Sequence, residues 1–311
     1  MEYLPVRVST LRGDQKIDFD CYLKIGDKHI LYLRRGDSFE GLRLNRLKEK
    51  KLRKMFILPG DETNYQSYLE RNIEMAYDAK SGKELSTRAE IIQGQQQSNV
   101  EEVFENPADE KAYIQTKDAA DKFMRFLTSE DQALGAVLGI ANVDASIAHH
   151  GVTVSSLAVA LAQSLGTFDT RQRSTLALGG LLHDFGHFNS ILDIARPIKS
   201  MDADDLKSYH EHPAKGSAAV TDKKHFEQSI INIIVQHEEK INGKGFPRGL
   251  VEKQIDPLAL VISSANALDR LIAFEKTSKK DAVKRLMIEQ VGEYPLTHIQ
   301  KLADIINTLP K

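Results

Sequence analysis

Eight of the ten histidines in this 311-residue chain fall between positions 149 and 237: His149, His150, His183, His187, His210, His212, His225 and His237. Even scatter would place far fewer there, so any fold of the chain has to accommodate a local excess of imidazole. The surrounding segments, 119–127, 132–141, 152–165, 172–187, 203–209, 214–219, 226–237, 257–274 and 280–291, carry helical periodicity with few β-branched alternations. The C-terminal 200 or so residues are therefore expected to be all-α. Neutral imidazole is the commonest protein metal ligand, and imidazole combined with carboxylate suits iron, manganese, zinc or nickel. Cys21 is the only cysteine, which excludes an internal disulfide framework and a thiolate-rich metal site. A metal has to be held by histidine and carboxylate.

The first part of the chain reads differently. Residues 4–8, 17–23 and 29–33 alternate apolar and polar positions between turn signals at Gly13, Gly26 and Gly36. Residues 61–63 offer a helix cap before a helical pattern through Ile73, Met75 and Ala76. Residues 92–111, rich in Gln, Asn and Glu, read as a connector or an exposed helix. The expected fold is multidomain: a small α+β domain with its connector over residues 1–110, with a regulatory role, then an all-α domain over 111–311. The basic run at 42–55 reads as a solvated face, with an anion-binding patch as the alternative.

Lys+Arg 42 against Asp+Glu 44 gives a formal net charge of −2, so no general basic field attracts DNA or an anionic membrane. The longest apolar runs, 134–141 and 258–262, fall far short of the roughly 20 residues that span a bilayer. With no leader-like pattern at the N-terminus, a cytoplasmic protein is expected.

His183 and Asp184 end an apolar stretch, LALGGLLHD, where an unpaired buried carboxylate is costly and a cation compensates it; helix capping is the competing role for Asp184. LLHDFGH is preceded by His150 in HHGVTVSSLAVALAQSLG and followed by His212 in HEHPAKGS and His237 in QHEEKINGKGFPRGL. This ordered set, over about residues 140–275, resembles the HD-GYP branch of the HD metal-dependent phosphohydrolase superfamily. The resemblance implies a helical bundle that holds two or three metal ions, commonly iron, and hydrolyses cyclic di-GMP. It makes His150, His183, Asp184, His212 and His237 metal ligands, with Asp184 bridging two divalent ions, iron or else manganese. Two cations about 3.5–4 Å apart supply nucleophile activation and charge neutralisation together.

The pattern is altered at several positions. Glu238 stands in place of the family's second histidine and is expected to remain a ligand. Asn266 stands where the resemblance expects an aspartate ligand, and it completes the metal set. Ser146 occupies the position of a third-metal glutamate, Phe246 that of the signature tyrosine and Asn242 that of the signature aspartate. His187 takes the place of a lysine and is assigned, with Asp184, to catalysis. After Asp269 the chain runs AFEKTSKKDAV, without the family's arginine- and tyrosine-containing loop, so Lys215 and Lys276 are the expected nucleotide contacts. The function implied is a binuclear metal-dependent phosphodiesterase of bacterial signalling, hydrolysing or binding cyclic di-GMP or a related nucleotide. The alternative is a catalytically weak or inactive homologue that signals by binding nucleotide or a signalling-protein partner.

Overall fold

A computed structural model describes residues 2–141, 146–188, 190, 192–194 and 196–309. The chain divides into two compact units, Met1–Ser98 and Asn99–Lys311. The division falls inside one helix, Leu85–Glu105. The glutamine-rich stretch is neither a connector nor an exposed helix. Ala89, Ile92, Gln96, Val100 and Val103 are all buried and recur at helical spacing, a face that the polar composition conceals.

The first unit is α+β. Strands β1 (Leu4–Arg7), β2 (Cys21–Ile25), β3 (Lys28–Leu33) and β4 (Lys54–Ile57) form an antiparallel sheet in the order β1-β4-β2-β3. Alternation in β4 turns Met55 and Ile57 inward, where they join Val6, Ile17, Phe19, Cys21 and Phe39 in one core. Helix α1 (Arg43–Glu49) buries Leu44 and Leu47 and exposes Arg43 and Arg46, so this part of the basic run is a solvated face. Helix α2 (Glu62–Tyr77) contributes Tyr65 and Tyr68 to the core; their hydroxyls meet Thr10 Oγ1 and the Arg12 N–H, each at 2.8 Å. Asp61 does not cap α2. Its carboxylate instead accepts from the Asp20 N–H and the Arg35 guanidinium. The helix that contains the unit boundary is α3 (Leu85–Glu105).

The second unit is helical: α4 (Glu110–Ser129), α5 (Ala133–Leu138), α6 (Ile147–Leu165), α7 (Thr170–Leu182), α8 (Ala203–Val220), α9 (Gln228–Gln236), α10 (Pro257–Ala273), α11 (Lys279–Glu289) and α12 (Leu296–Thr308). Every residue of α10 from Leu258 to Leu271 is buried, the mark of a core helix that neighbours surround. Two segments expected as separate helices, 203–209 and 214–219, are the single helix α8. It continues through Pro213, a residue that ordinarily signals a break. Helix α12 was not among the expected segments. In the opposite direction, α7 stops at Leu182, and the residues after it turn through a short 3-10 helix, Phe185–His187. No helix among the described residues is long and apolar enough to cross a membrane.

Two details of this unit carry direct consequences. A Cβ added at Gly186 would lie 1.8 Å from the His212 carbonyl oxygen, so the turn that carries Asp184 and His187 presses against the α8 backbone. His298 is buried, with Nδ1 3.0 Å from Ser264 Oγ, and burial pulls its pKa down to about 4.

Gly186→Ala is expected to cost about 3 kcal/mol of unfolding free energy, since neither backbone yields without moving its helix; chemical denaturation measures this. For His298 the folded pKa lies below the unfolded value of 6.5, so the unfolded chain takes up the proton first and stability falls as pH drops from 6.5 towards 4. Between pH 7.5 and 5 the wild type should therefore lose about 2 kcal/mol more than His298→Gln. Equal losses would show that His298 is free to titrate in the fold.

Candidate metal centre

The turn after α7 places Asp184 among four histidines drawn from different helices. His150 lies in the first turns of α6, His183 follows α7, His212 lies within α8 and His237 follows α9. All five are at least 97% buried. His212 Nε2 and His237 Nε2 are each 3.4 Å from Asp184 Oδ1, and His150 Nε2 and His183 Nε2 are each 3.6 Å from Oδ2. Each carboxylate oxygen thus faces its own pair of imidazoles. Asp184 makes no capping bond, which removes the competing role.

The rings are aimed by backbone carbonyls. His183 Nδ1 donates to Gly180 O at 2.8 Å, His212 Nδ1 to Tyr209 O at 2.5 Å and His237 Nδ1 to Ile234 O at 2.9 Å. In a continuous α-helix those carbonyls would accept from the N–H four residues on. Helices α7 and α9 have ended by then, which leaves theirs free. For Tyr209 the residue four on is Pro213, which has no N–H to give. A carbonyl only accepts, so Nδ1 carries the proton and Nε2 presents its lone pair. His150 is held differently, by a 2.6 Å contact from Nδ1 to Asp269 Oδ2.

These lone pairs lack partners. His183 Nε2, Asp184 Oδ2 and His187 Nε2 are buried without a hydrogen bond among the described residues. His212 Nε2 and His237 Nε2 approach within 2.9 Å, two acceptors that only a proton or a cation reconciles. Among the described residues, three sets place their ligand atoms within 4.8 Å of one another: His150, His183 and Asp184; Asp184, His187 and His212; His212, His237 and Glu238. Donor type and unpaired lone pairs both fit divalent metal ions.

Burial pulls His183 down to about 3 against the upward pull of Asp184, and it likewise carries His187 and His212 down. Burial would push Asp184 up, but the surrounding imidazoles of His183, His212 and His237 outweigh it and hold the carboxyl well below the usual carboxylate range. Burial also opposes the charge on His237, yet Asp184 outweighs it and the pKa rises, the protonic answer to the 2.9 Å contact.

Around this centre Glu238 Oε1 accepts from Tyr209 OH at 2.5 Å and from Asn266 Nδ2 at 3.2 Å, and Asn266 Oδ1 lies 3.0 Å from His150 Nε2. Asp269 and Tyr209 were not anticipated. Asp269 had a signal, its position three residues after Asn266 on the same face of α10, whereas nothing local to Tyr209 marked it. Glu239 accepts from the Arg248 and Leu250 N–H groups and so folds the signature loop, where Phe246 packs against His210 and Tyr209. Ser146 caps α6 by accepting from the His149 N–H. Lys215 pairs with Glu211 on an exposed face of α8, and Lys276 is exposed in the loop after α10. His187 stacks on His212 at 3.8 Å, a geometry that suits a further ligand as well as a proton carrier.

A family model for the HD domain matches residues 126–293, more than half of the chain. The chain belongs to that family, in its HD-GYP branch. It is 58% identical to Bd1817, a HDG"Y"P protein from Bdellovibrio bacteriovorus, whose solved structure superposes with a TM-score of 0.94 over 98% of this chain and 100% of that one. It is also 26% identical over 207 residues to "Cyclic di-GMP phosphodiesterase PA4108" of Pseudomonas aeruginosa and 25% identical over 176 residues to "Cyclic di-GMP phosphodiesterase PdeB" of Borreliella burgdorferi. Those alignments take in 60% and 50% of this chain and 49% and 45% of the two phosphodiesterases, so the chain spans about half the length of each.

The Pro213 arrangement is directly testable. Pro213→Ala restores an N–H that competes for the Tyr209 carbonyl and releases the His212 ring. Metal affinity, measured by titration with Mn(II), should fall about 10- to 100-fold while helix stability is kept or raised. Unchanged affinity would mean that His212 is positioned by its packing alone.

Proposed function

We propose that this chain is a metal-dependent phosphodiesterase of bacterial signalling that acts in the cytoplasm on cyclic di-GMP or a closely related cyclic dinucleotide. The observation that supports it most is the carboxylate of Asp184, buried and charged, with each oxygen facing two imidazole nitrogens. A carboxylate flanked in this way is suited to bridge two cations, with His150 and His183 on one side and His212, His237 and Glu238 on the other. Iron is the first candidate and manganese the second. Bound there, the ions would supply Lewis acidity and an activated nucleophile for phosphodiester hydrolysis.

The side chains then have distinct tasks. His183 and His212 stay neutral at physiological pH and keep their lone pairs available. His187, neutral and unpartnered at Nε2, is placed to take or pass a proton. Tyr209 remains a donor to Glu238, because burial drives its phenol pKa up, and so it orients that carboxylate. Lys276 is the exposed cation of the loop after α10 available to a nucleotide, while Lys215 has Glu211 to satisfy first.

Asn266 favours a second reading, a slow enzyme or a nucleotide-binding protein that signals through partners. Its amide is uncharged and already engaged by His150 and Glu238, so it contributes no anionic ligand.

Protein loaded anaerobically with Fe(II) or Mn(II) should hold two metals per chain and hydrolyse cyclic di-GMP slowly. The double variant Asn266→Asp, Phe246→Tyr should turn over at least about tenfold faster. Fewer than one metal per chain would refute the metal centre. Two metals with no hydrolysis in either protein would favour the binding reading.

A further inference from the structure

One charged side chain beside the centre has no role so far. Arg270 is 8% exposed, and its guanidinium makes no hydrogen bond or ion pair among the described residues. It lies one turn after Asn266 on the same face of α10. Its Cζ is 4.9 Å from the centroid of the Tyr209 ring and 5.1 Å from that of Phe274. Both rings belong to the wall of the metal centre: Tyr209 bonds Glu238 and lies 5.1 Å from the His212 ring, and Phe274 lies 5.0 Å from the His150 ring.

Aromatic faces attract a guanidinium but do not serve as acceptors for its in-plane N–H groups. The fork is thus mostly buried with no hydrogen-bond acceptor among the described residues, its charge offset only at a distance by the carboxylates of Glu238, Asp184 and Glu275, and its N–H groups are left for an oxygen-bearing ligand to satisfy. The neighbouring carboxylate, Glu238, is already engaged by Tyr209 and Asn266. A fork of this kind matches two oxygens of one tetrahedral anion, a match that an ammonium lacks.

We propose that Arg270 is the phosphate-binding residue of this site, taking the non-bridging oxygens of a phosphodiester beside the metal ions. The inference rests on the reading of the site given above, and it concerns binding of the phosphate group, not turnover.

The test uses the full chain loaded with Mn(II), inorganic phosphate as the probe, and the variants Arg270→Lys and Arg270→Met. Both should retain the wild-type metal content. The dissociation constant for phosphate should rise at least tenfold in Arg270→Met, with only partial recovery in Arg270→Lys, because charge alone does not reproduce the fork. Unchanged phosphate affinity in either variant would overturn the proposal, as would loss of metal and phosphate together, which would make Arg270 a structural support. Should neither variant fold, phenylglyoxal modification of the wild type, read by mass spectrometry on the peptide containing Arg270, decides the matter. Protection by phosphate supports the proposal; equal modification, or none, with and without phosphate overturns it. If the wild type binds phosphate but hydrolyses no cyclic dinucleotide, the proposed function fails while the assignment of Arg270 stands.

Discussion

The second unit is organised around one unfavourable act, the burial of the Asp184 carboxylate. An ionised carboxylate far from water is tolerated only when opposite charge or hydrogen-bond donors surround it. Here its neighbours are four imidazole nitrogens, at 3.4 to 3.6 Å, most of which offer lone pairs and not protons. Acceptors facing acceptors repel unless a cation lies between them. The packing of α6, α7, α8 and α9 around Asp184 therefore makes sense as a frame for positive charge, with the apolar residues of α10 closing the frame and excluding water.

What keeps the rings aimed is the backbone. Two of the anchoring carbonyls are free because their helices end two residues before the partner N–H would arrive, and the third is free because that partner is a proline. The local departures from ideal helix, the stop after Leu182, the stop after Gln236 and the proline inside α8, fall where a histidine needs an acceptor. Gly186 serves the same geometry by letting the turn that carries Asp184 and His187 approach α8 at a distance that no side chain would allow.

The helical class of the second unit, the strands of the first and the ordered histidines were legible in the sequence because each leaves a periodic or compositional mark. Residues whose importance comes from long-range contact were not. Tyr209 lies 29 residues from Glu238, and nothing local reveals that its hydroxyl reaches that carboxylate. His298 is buried through a contact with Ser264 of α10, 34 residues away in sequence. The stretch from 92 to 111 misled in the opposite sense: its glutamines suggested solvent, yet Gln93 and Gln96 are buried. Pro213 lies between the segments 203–209 and 214–219, expected as separate helices, yet α8 runs through it, because the donor it removes has a substitute in the His212 imidazole.

The charge balance of α10 links the two unusual features of the site. An amide at 266 in place of a carboxylate raises the local charge by one relative to an aspartate, and the guanidinium at 270 adds one more on the same helix face. Asp269, between them in sequence, turns to the far nitrogen of His150, so its charge reaches the metal positions only through that ring. A centre built this way would hold cations with fewer anionic ligands and present a more positive field to whatever enters. Such a field favours an anionic ligand in the ground state as much as in the transition state, and interactions equal in both states strengthen binding without accelerating chemistry. On the function proposed above, the same two residues would suit the site to retain a phosphodiester more firmly than to cleave one.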